Sequence, residues 1–169
     1  MAEQAGEEES KMLTRKDLER LTRELFDSLA DFGPNGERNL ERISAHFADE
    51  LAYRIPFLPA PVELGTRKAF LEVLAKTNGL FAASHYKLEK LLIDEVAQTV
   101  VVEATSLRPL RTTGAVATFS YVFIFAFDGN LINEMREYVF STDIEMISKA
   151  MDLESFAARV DEQARDAKA

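Results

Sequence analysis

Cysteine is absent from the 169 residues, which excludes disulfides, thiolate nucleophiles and cysteine-based zinc sites. Histidine occurs only twice, as His46 and His85, too sparsely for a His-rich metal site, so neither a metal nor a cofactor is expected. Basic residues are in deficit: 20 Lys and Arg against 29 Asp and Glu give a formal net charge of −9. Nucleic acid and anionic membrane both require clustered positive charge, so neither is expected as a partner. No apolar run is long enough to span a bilayer as a helix, and the acidic stretch Met1 to Ser10 has no apolar core of a signal peptide. A soluble, cytoplasmic protein is expected. Gly-rich phosphate loops, a serine nucleophile elbow and His-x-x-x-His pairs are also missing. Any chemistry falls to carboxylate, phenol, imidazole and shape.

What is present suits a single core: 47% hydrophobic and 29% charged residues over a length typical of one domain. Residues 1–12 read as a disordered acidic tail, 13–160 as one domain and 161–169 as a frayed polar end. The domain is organised around Gly114 to Ser141, two long strands folded back on each other. On the first arm the odd positions carry Phe119, Tyr121, Phe123, Phe125 and Phe127, and the even ones Val116, Thr118, Ser120, Val122 and Ile124. Strand side chains alternate between faces, so one face is aromatic and the other small and β-branched. Asp128-Gly129 is expected to supply the positive φ angles of a two-residue turn. The second arm brings Glu134, Arg136, Glu137 and Tyr138 into the sheet.

Upstream, Thr14 and Asp17 have capping-box spacing before the stripe Leu18, Leu21, Leu25, Leu29. Gly33-Pro34-Asn35-Gly36 breaks that helix. A second is expected from near Arg38 with Leu40, Ile43, Phe47 and Leu51 on its apolar face, then a short strand at Ala52–Ile55 and a stiff Pro-rich loop. Gly65-Thr66 open a third helix ending near Asn78-Gly79. Strands at 84–94 and 97–107 precede the hairpin, with Arg108 and Arg111 in a surface connection. A C-terminal helix is expected to begin at Thr142 and to bury Ile144, Ile147 and Met151. Helices grouped before an antiparallel sheet indicate α+β, with the curved sheet wrapped around about three helices as a cone.

The stretches Phe47-Ala48-Asp49-Glu50-Leu51-Ala52-Tyr53-Arg54-Ile55-Pro56-Phe57 and Phe125-Ala126-Phe127-Asp128-Gly129-Asn130-Leu131-Ile132, with Gly65 before the third helix and Glu137-Tyr138 in the last strand, carry a resemblance. Over residues 14–150 the chain resembles the SnoaL-like polyketide cyclases and isomerases of the nuclear-transport-factor-2-like superfamily. The resemblance implies a ligand pocket or active site inside the cone and a homodimer through the convex sheet face. It further implies isomerisation, cyclisation, dehydration or rearrangement of a hydrophobic secondary metabolite. A non-catalytic binding or scaffold module of the same fold is the alternative. The family's last strand often ends Glu-Tyr-x-Asp, whereas here Phe140 replaces the final carboxylate.

Glu137 is the leading candidate for proton transfer, because hairpin register places it inward beside Met135 and Val139, where an apolar pocket raises a carboxyl pKa. A rim ion pair with Arg136 or Arg54 is its ordinary alternative. Tyr121, His85 and Arg38 are candidates for polarising or holding a substrate oxygen, and Tyr53, Phe57, Phe119 and Met135 for the substrate-binding wall. For Tyr121 the ordinary alternative is core packing. Glu134 and Arg136 fall on the opposite parity and read as surface or interface charges.

Overall fold

Helix α1 (Arg15–Ala30) starts where its cap dictates. In the computed structural model, which describes residues 12–34, 36–56 and 61–143 (side chains 77 and 78 aside), the Thr14 hydroxyl accepts from the Asp17 amide and the Asp17 carboxylate from the Thr14 amide, each at 3.2 Å. Leu18, Leu21, Leu25 and Leu29 are buried on one stripe, as their spacing requires. The second helix is much shorter than its apolar spacing predicts. Helix α2 covers only Leu40–Ser44, and the chain is already extended from Phe47 in strand β1 (Phe47–Ile55). Phe47 and Leu51 are therefore strand residues. Their four-residue interval suits either structure, and a bulge between Phe47 and Ala52 interrupts the pairing that would have marked a strand. The Pro-rich stretch likewise leads into a short strand, β2 (Val62–Leu64), paired antiparallel with β1. Thr66 caps α3 (Arg67–Asn78) through its hydroxyl, which accepts from the Ala69 amide at 3.2 Å.

Strands β3 (His85–Asp94), β4 (Thr99–Pro109), β5 (Val116–Asp128) and β6 (Leu131–Phe140) form the antiparallel meander. Strand order is β2-β1-β6-β5-β4-β3, with β1 parallel to β6, so the curved sheet stays open at both edges. The hairpin turn lies one residue later than expected: Asp128 pairs with Leu131, and Gly129-Asn130 form the loop. Of these two only Gly129 has positive φ, at 54°, the pattern of a turn with glycine in its first central position. The expected C-terminal helix lies outside the described residues.

Helix α1 lies against the inner face of the sheet, where Phe26 meets Tyr86, Phe123 and Phe125 edge-on at 5.4, 5.5 and 6.3 Å. Helix α3 closes the β1 side, with Phe70 5.0 Å from both Phe47 and Tyr53. Burying such side chains contributes roughly 1.5–3 kcal/mol each. Tyr121, Phe123, Phe125 and Phe127 on the inner face of β5 are buried and Phe119 partly so, while Val116 and Val122 of its outer face are exposed. No helix among the described residues is long and apolar enough to cross a membrane.

Candidate active site

The pairing Phe123 to Glu137 and Tyr121 to Val139 sets Glu137 on the inner face, beside the aromatic row of β5. The opposite strand, β1, supplies Tyr53 through its pairing with Met135. The Tyr53 hydroxyl donates to Glu137 Oε2 at 2.7 Å. Burial raises the Glu137 pKa; the Tyr53 hydrogen bond and the Arg108 and Arg38 charges pull it back without cancelling the rise. Burial, with the Glu137 charge and hydrogen bond behind it, drives the Tyr53 phenol well above its ordinary value, so Tyr53 stays a donor. Met135 is buried next to this pair.

Arg38 reaches the inner face through the turn between α1 and α2. Phe32 and Arg38 form an isolated bridge, and the Gly33 amide donates to the Glu37 carbonyl at 2.7 Å. Gly36 has φ of 72° and its carbonyl accepts from Arg111 Nη2, so a side chain there would meet both a strained backbone and the Arg111 guanidinium. The turn turns Arg38 inward, where it is 7% exposed and donates to Ser84 Oγ at 3.2 Å. Burial lowers its pKa.

Arg108 is the residue the sequence reading misplaced. It is not in a surface loop. Strand β4 runs on to Pro109, and the inward alternation Val100, Val102, Ala104, Ser106 ends on Arg108. Pro109 can close this strand because the terminal position tolerates a residue without an amide hydrogen. The Arg108 guanidinium lies 5.0–5.5 Å from the ring centres of Phe81, Tyr86, Phe119 and Tyr121. Its Nε donates to Ser106 Oγ at 3.2 Å and its Nη2 to the Tyr86 hydroxyl. Tyr121, raised by burial, keeps its proton and shares Ser106 at 3.4 Å. Phe119 stacks on Tyr121 at 6.1 Å. Tyr86, Ser84 and Ser106 were not singled out by their sequence context; the strand alternation alone would have flagged Tyr86 and Ser106.

Not every candidate converges. His85 is exposed and pairs with Leu107 on the outer face, whereas its neighbour Tyr86 points inward opposite Ser106. It is set apart from Glu137 by strand parity. Phe57 lies outside the described residues. Glu134 and Arg136 pair with each other at 3.1 Å on the outer face. His46 hydrogen-bonds Ser28 at 2.8 Å between α1 and α2. Among the described residues no group of three His, Asp or Glu side chains is placed to hold a metal.

Glu137 and Arg108 are surrounded as deeply as core residues yet keep partial solvent contact. A separate groove of about 590 Å3 lies between α2, α3 and β1, lined by Leu40, Ser44, Asp49, Arg67, Leu71 and Glu72. Its Asp49 is exposed and paired with Arg67, so the groove does not share the environment of Glu137.

Helices enclosed by a curved six-stranded sheet, with a carboxyl, phenols and guanidinium groups on its inner face, define a cone-shaped α+β protein with an internal polar cluster. The chain belongs to the SnoaL-like domain family, whose model matches residues 22–135. No curated protein matches it. Among solved structures it is similar to PrhC from Penicillium brasilianum, at 14% identity and a TM-score of 0.67 over 89% of this chain and 98% of that one. An epoxide hydrolase of the LEH-like type from M. tuberculosis aligns at 17% identity and 0.58, over 86% and 96%. An NTF2-like protein from Anabaena variabilis aligns at 16% and 0.60, over 78% and 96%. At these identities the likeness establishes the shared fold.

Proposed function

We propose that the protein is a cofactor-independent enzyme that moves a proton on a hydrophobic small molecule, in an isomerisation, cyclisation, dehydration or rearrangement. The observation that carries this reading is Glu137: a carboxyl opposite Phe123 on the aromatic inner face, fixed by one phenol at 2.7 Å, with its pKa raised by burial. A raised carboxyl is a stronger base when ionised and a usable acid when protonated. Tyr53 holds it in one orientation. Tyr121, with its proton retained, and the two guanidinium groups supply positive potential where a substrate oxygen would gain charge. The aromatic row Phe119, Tyr121, Phe123 offers a flat apolar wall for the substrate body.

The test does not require the natural substrate. Deuterium exchange next to the carbonyl of small cyclic ketones, followed by NMR in heavy water, reads proton abstraction directly. Exchange above the buffer rate that disappears in Glu137→Gln is expected. Wild-type exchange at the buffer rate across the panel overturns the reading in favour of a binding module. That second reading draws on the stack Phe119-Tyr121-Phe123-Phe125 and the ring-enclosed Arg108, which occupy much of the inner face with the protein's own side chains. We also infer a homodimer through the outer face, where Val116, Val122, Tyr138 and Phe140 are 52, 37, 39 and 63% exposed. A cytoplasmic location agrees with the acidic, cysteine-free composition.

A further inference from the structure

The inner face carries one more positive charge than its carboxyl balances. Arg38 and Arg108 lie within electrostatic reach of each other and of Glu137. Among the described residues every direct partner of the two guanidinium groups is neutral: Ser84 and the Phe32 ring for Arg38, Ser106, Tyr86 and three further rings for Arg108. Among the described residues neither makes an ion pair, and Glu137 itself is engaged by Tyr53. Arg38 Nε is buried with no hydrogen-bond partner among the described residues. Buried cations are normally matched by a counter-charge, and a buried donor left unpaired costs free energy that a ligand can recover. The ring faces around Arg108 offset part of that cost; Arg38 has one ring only.

We propose that the ligand of this inner face carries a carboxylate on a flat apolar frame, the carboxylate held by Arg38 and Arg108 and the frame by the aromatic row of β5. This rests on the reading of the inner face as the ligand site. A planar guanidinium fork matches a carboxylate by two parallel hydrogen bonds, which selects that anion over a point charge such as halide. Stacked Phe119, Tyr121 and Phe123, with successive centroids 6.1 and 5.0 Å apart, form a wall that suits an aromatic or fused-ring body. The division of labour is then clear: two cations fix the ligand by its permanent charge, leaving Glu137 to act on a different atom of the frame.

The proposal is tested by calorimetric titration of the purified full chain with naphthoate and with naphthamide, its neutral counterpart of the same shape. Naphthoate is expected to bind roughly 10- to 100-fold more tightly than the amide, and Arg38→Gln to remove a similar factor for naphthoate alone. Arg20→Gln, in an exposed α1 pair with Glu24, is expected to change neither. Because Arg108→Gln risks misfolding, Arg108→Lys serves beside it: retained charge with a lost fork should weaken naphthoate while the amide is unaffected. Equal binding of naphthoate and naphthamide, an unaffected Arg38→Gln, or no naphthoate binding at millimolar concentration each overturns the proposal. These outcomes are independent of ketone exchange by Glu137. Exchange lost in Glu137→Gln with no preference for the anion would leave the acid–base reading standing and this inference refuted. Anion preference without wild-type exchange would do the reverse.

Discussion

The two faces of β5 and β6 are made from the same twenty-odd residues, alternating except at one register shift beside Phe127, yet they place ionisable groups in opposite physical regimes. Glu137 on the inner face is surrounded by rings, has a single close phenol partner and a pKa raised by burial. Glu134, three residues earlier, lies on the outer face in a half-exposed pair with Arg136. Three positions reverse strand parity, and here they separate a carboxyl whose pKa burial raises from one in a half-exposed ion pair. Exposure separates the apolar residues in the same way: Phe123 and Phe125 are buried, Val116 and Val122 are not. The proposed chemistry and the proposed association thus fall on opposite faces of the same two strands.

The largest effect that would break this contrast is kinetic. Glu137→Gln keeps the shape and one hydrogen-bonding partner but cannot exchange a proton near neutral pH. Ketone exchange is expected to fall by about 10²- to 10⁴-fold, with Glu134→Gln within a factor of about two. Equal losses in the two variants would show that parity does not separate them.

Stability offers the next test. Phe125→Ala removes a fully buried ring and is expected to cost about 3–5 kcal/mol in urea unfolding. Val122→Ala on the outer face should stay within about 0.5 kcal/mol when measured at a concentration where the chain is monomeric. A large cost for Val122→Ala under those conditions would place it under its own chain.

Much of this arrangement was legible before any coordinates, and the failures have specific causes. Period-two alternation exposed the aromatic face of β5, but hairpin register alone does not carry Glu137 to that face. Continued unbroken from Asp128 and Leu131 it would pair Glu137 with Val122, and the register shift between Ala126 and Phe127, which has no local signature, moves it opposite Phe123. The capping box at Thr14 located α1 to the residue. The second half of β1 was legible as the short strand Ala52–Ile55, whereas its first half was concealed because Phe47 and Leu51 repeat at four, an interval common to helix and bulged strand. Arg108 was lost because Pro109 reads as the start of a loop, although it is the last rung of β4. His85 was ambiguous because the parity of a strand's first residue depends on its partner, and Leu107 opposite it is itself exposed. Tyr53 and Glu137 are 84 residues apart, so their bond depends on the parallel pairing of β1 with β6, a long-range contact without a local signature.

Association is the third test of the contrast. Wild-type protein is expected to sediment as a dimer at micromolar concentration. Val122→Lys sets like charges against each other across a symmetric interface and should weaken the dimer at least ~10-fold, with its unfolding midpoint at high dilution little changed. A wild-type monomer at that concentration would remove the role assigned to the outer face and leave the inner face untouched.

The smallest effect is the pH dependence of stability, and its sign is fixed by Glu137. The native carboxyl has a raised pKa, with burial as the main cause, against an ordinary value of 4.5. Between that value and the native one, the folded protein retains a proton that the unfolded chain has released. Stability contributed by this group is therefore fully present below the ordinary carboxyl pKa and is lost as pH rises through the native one. The slope cannot exceed about 1.4 kcal/mol per pH unit for a single proton. In Glu137→Gln the titrating group is gone, whereas the altered bond to Tyr53 adds an offset that does not vary over this range. The guanidinium groups of Arg38 and Arg108 remain charged throughout. Melting temperatures of wild type minus variant should thus decline from acid toward neutral pH and level off once Glu137 has ionised. A difference that stays flat, or that rises with pH, would mean that the Arg38 and Arg108 charges outweigh burial at Glu137. In that case the inner carboxyl would be an ordinary paired one, and the two faces would differ in packing alone.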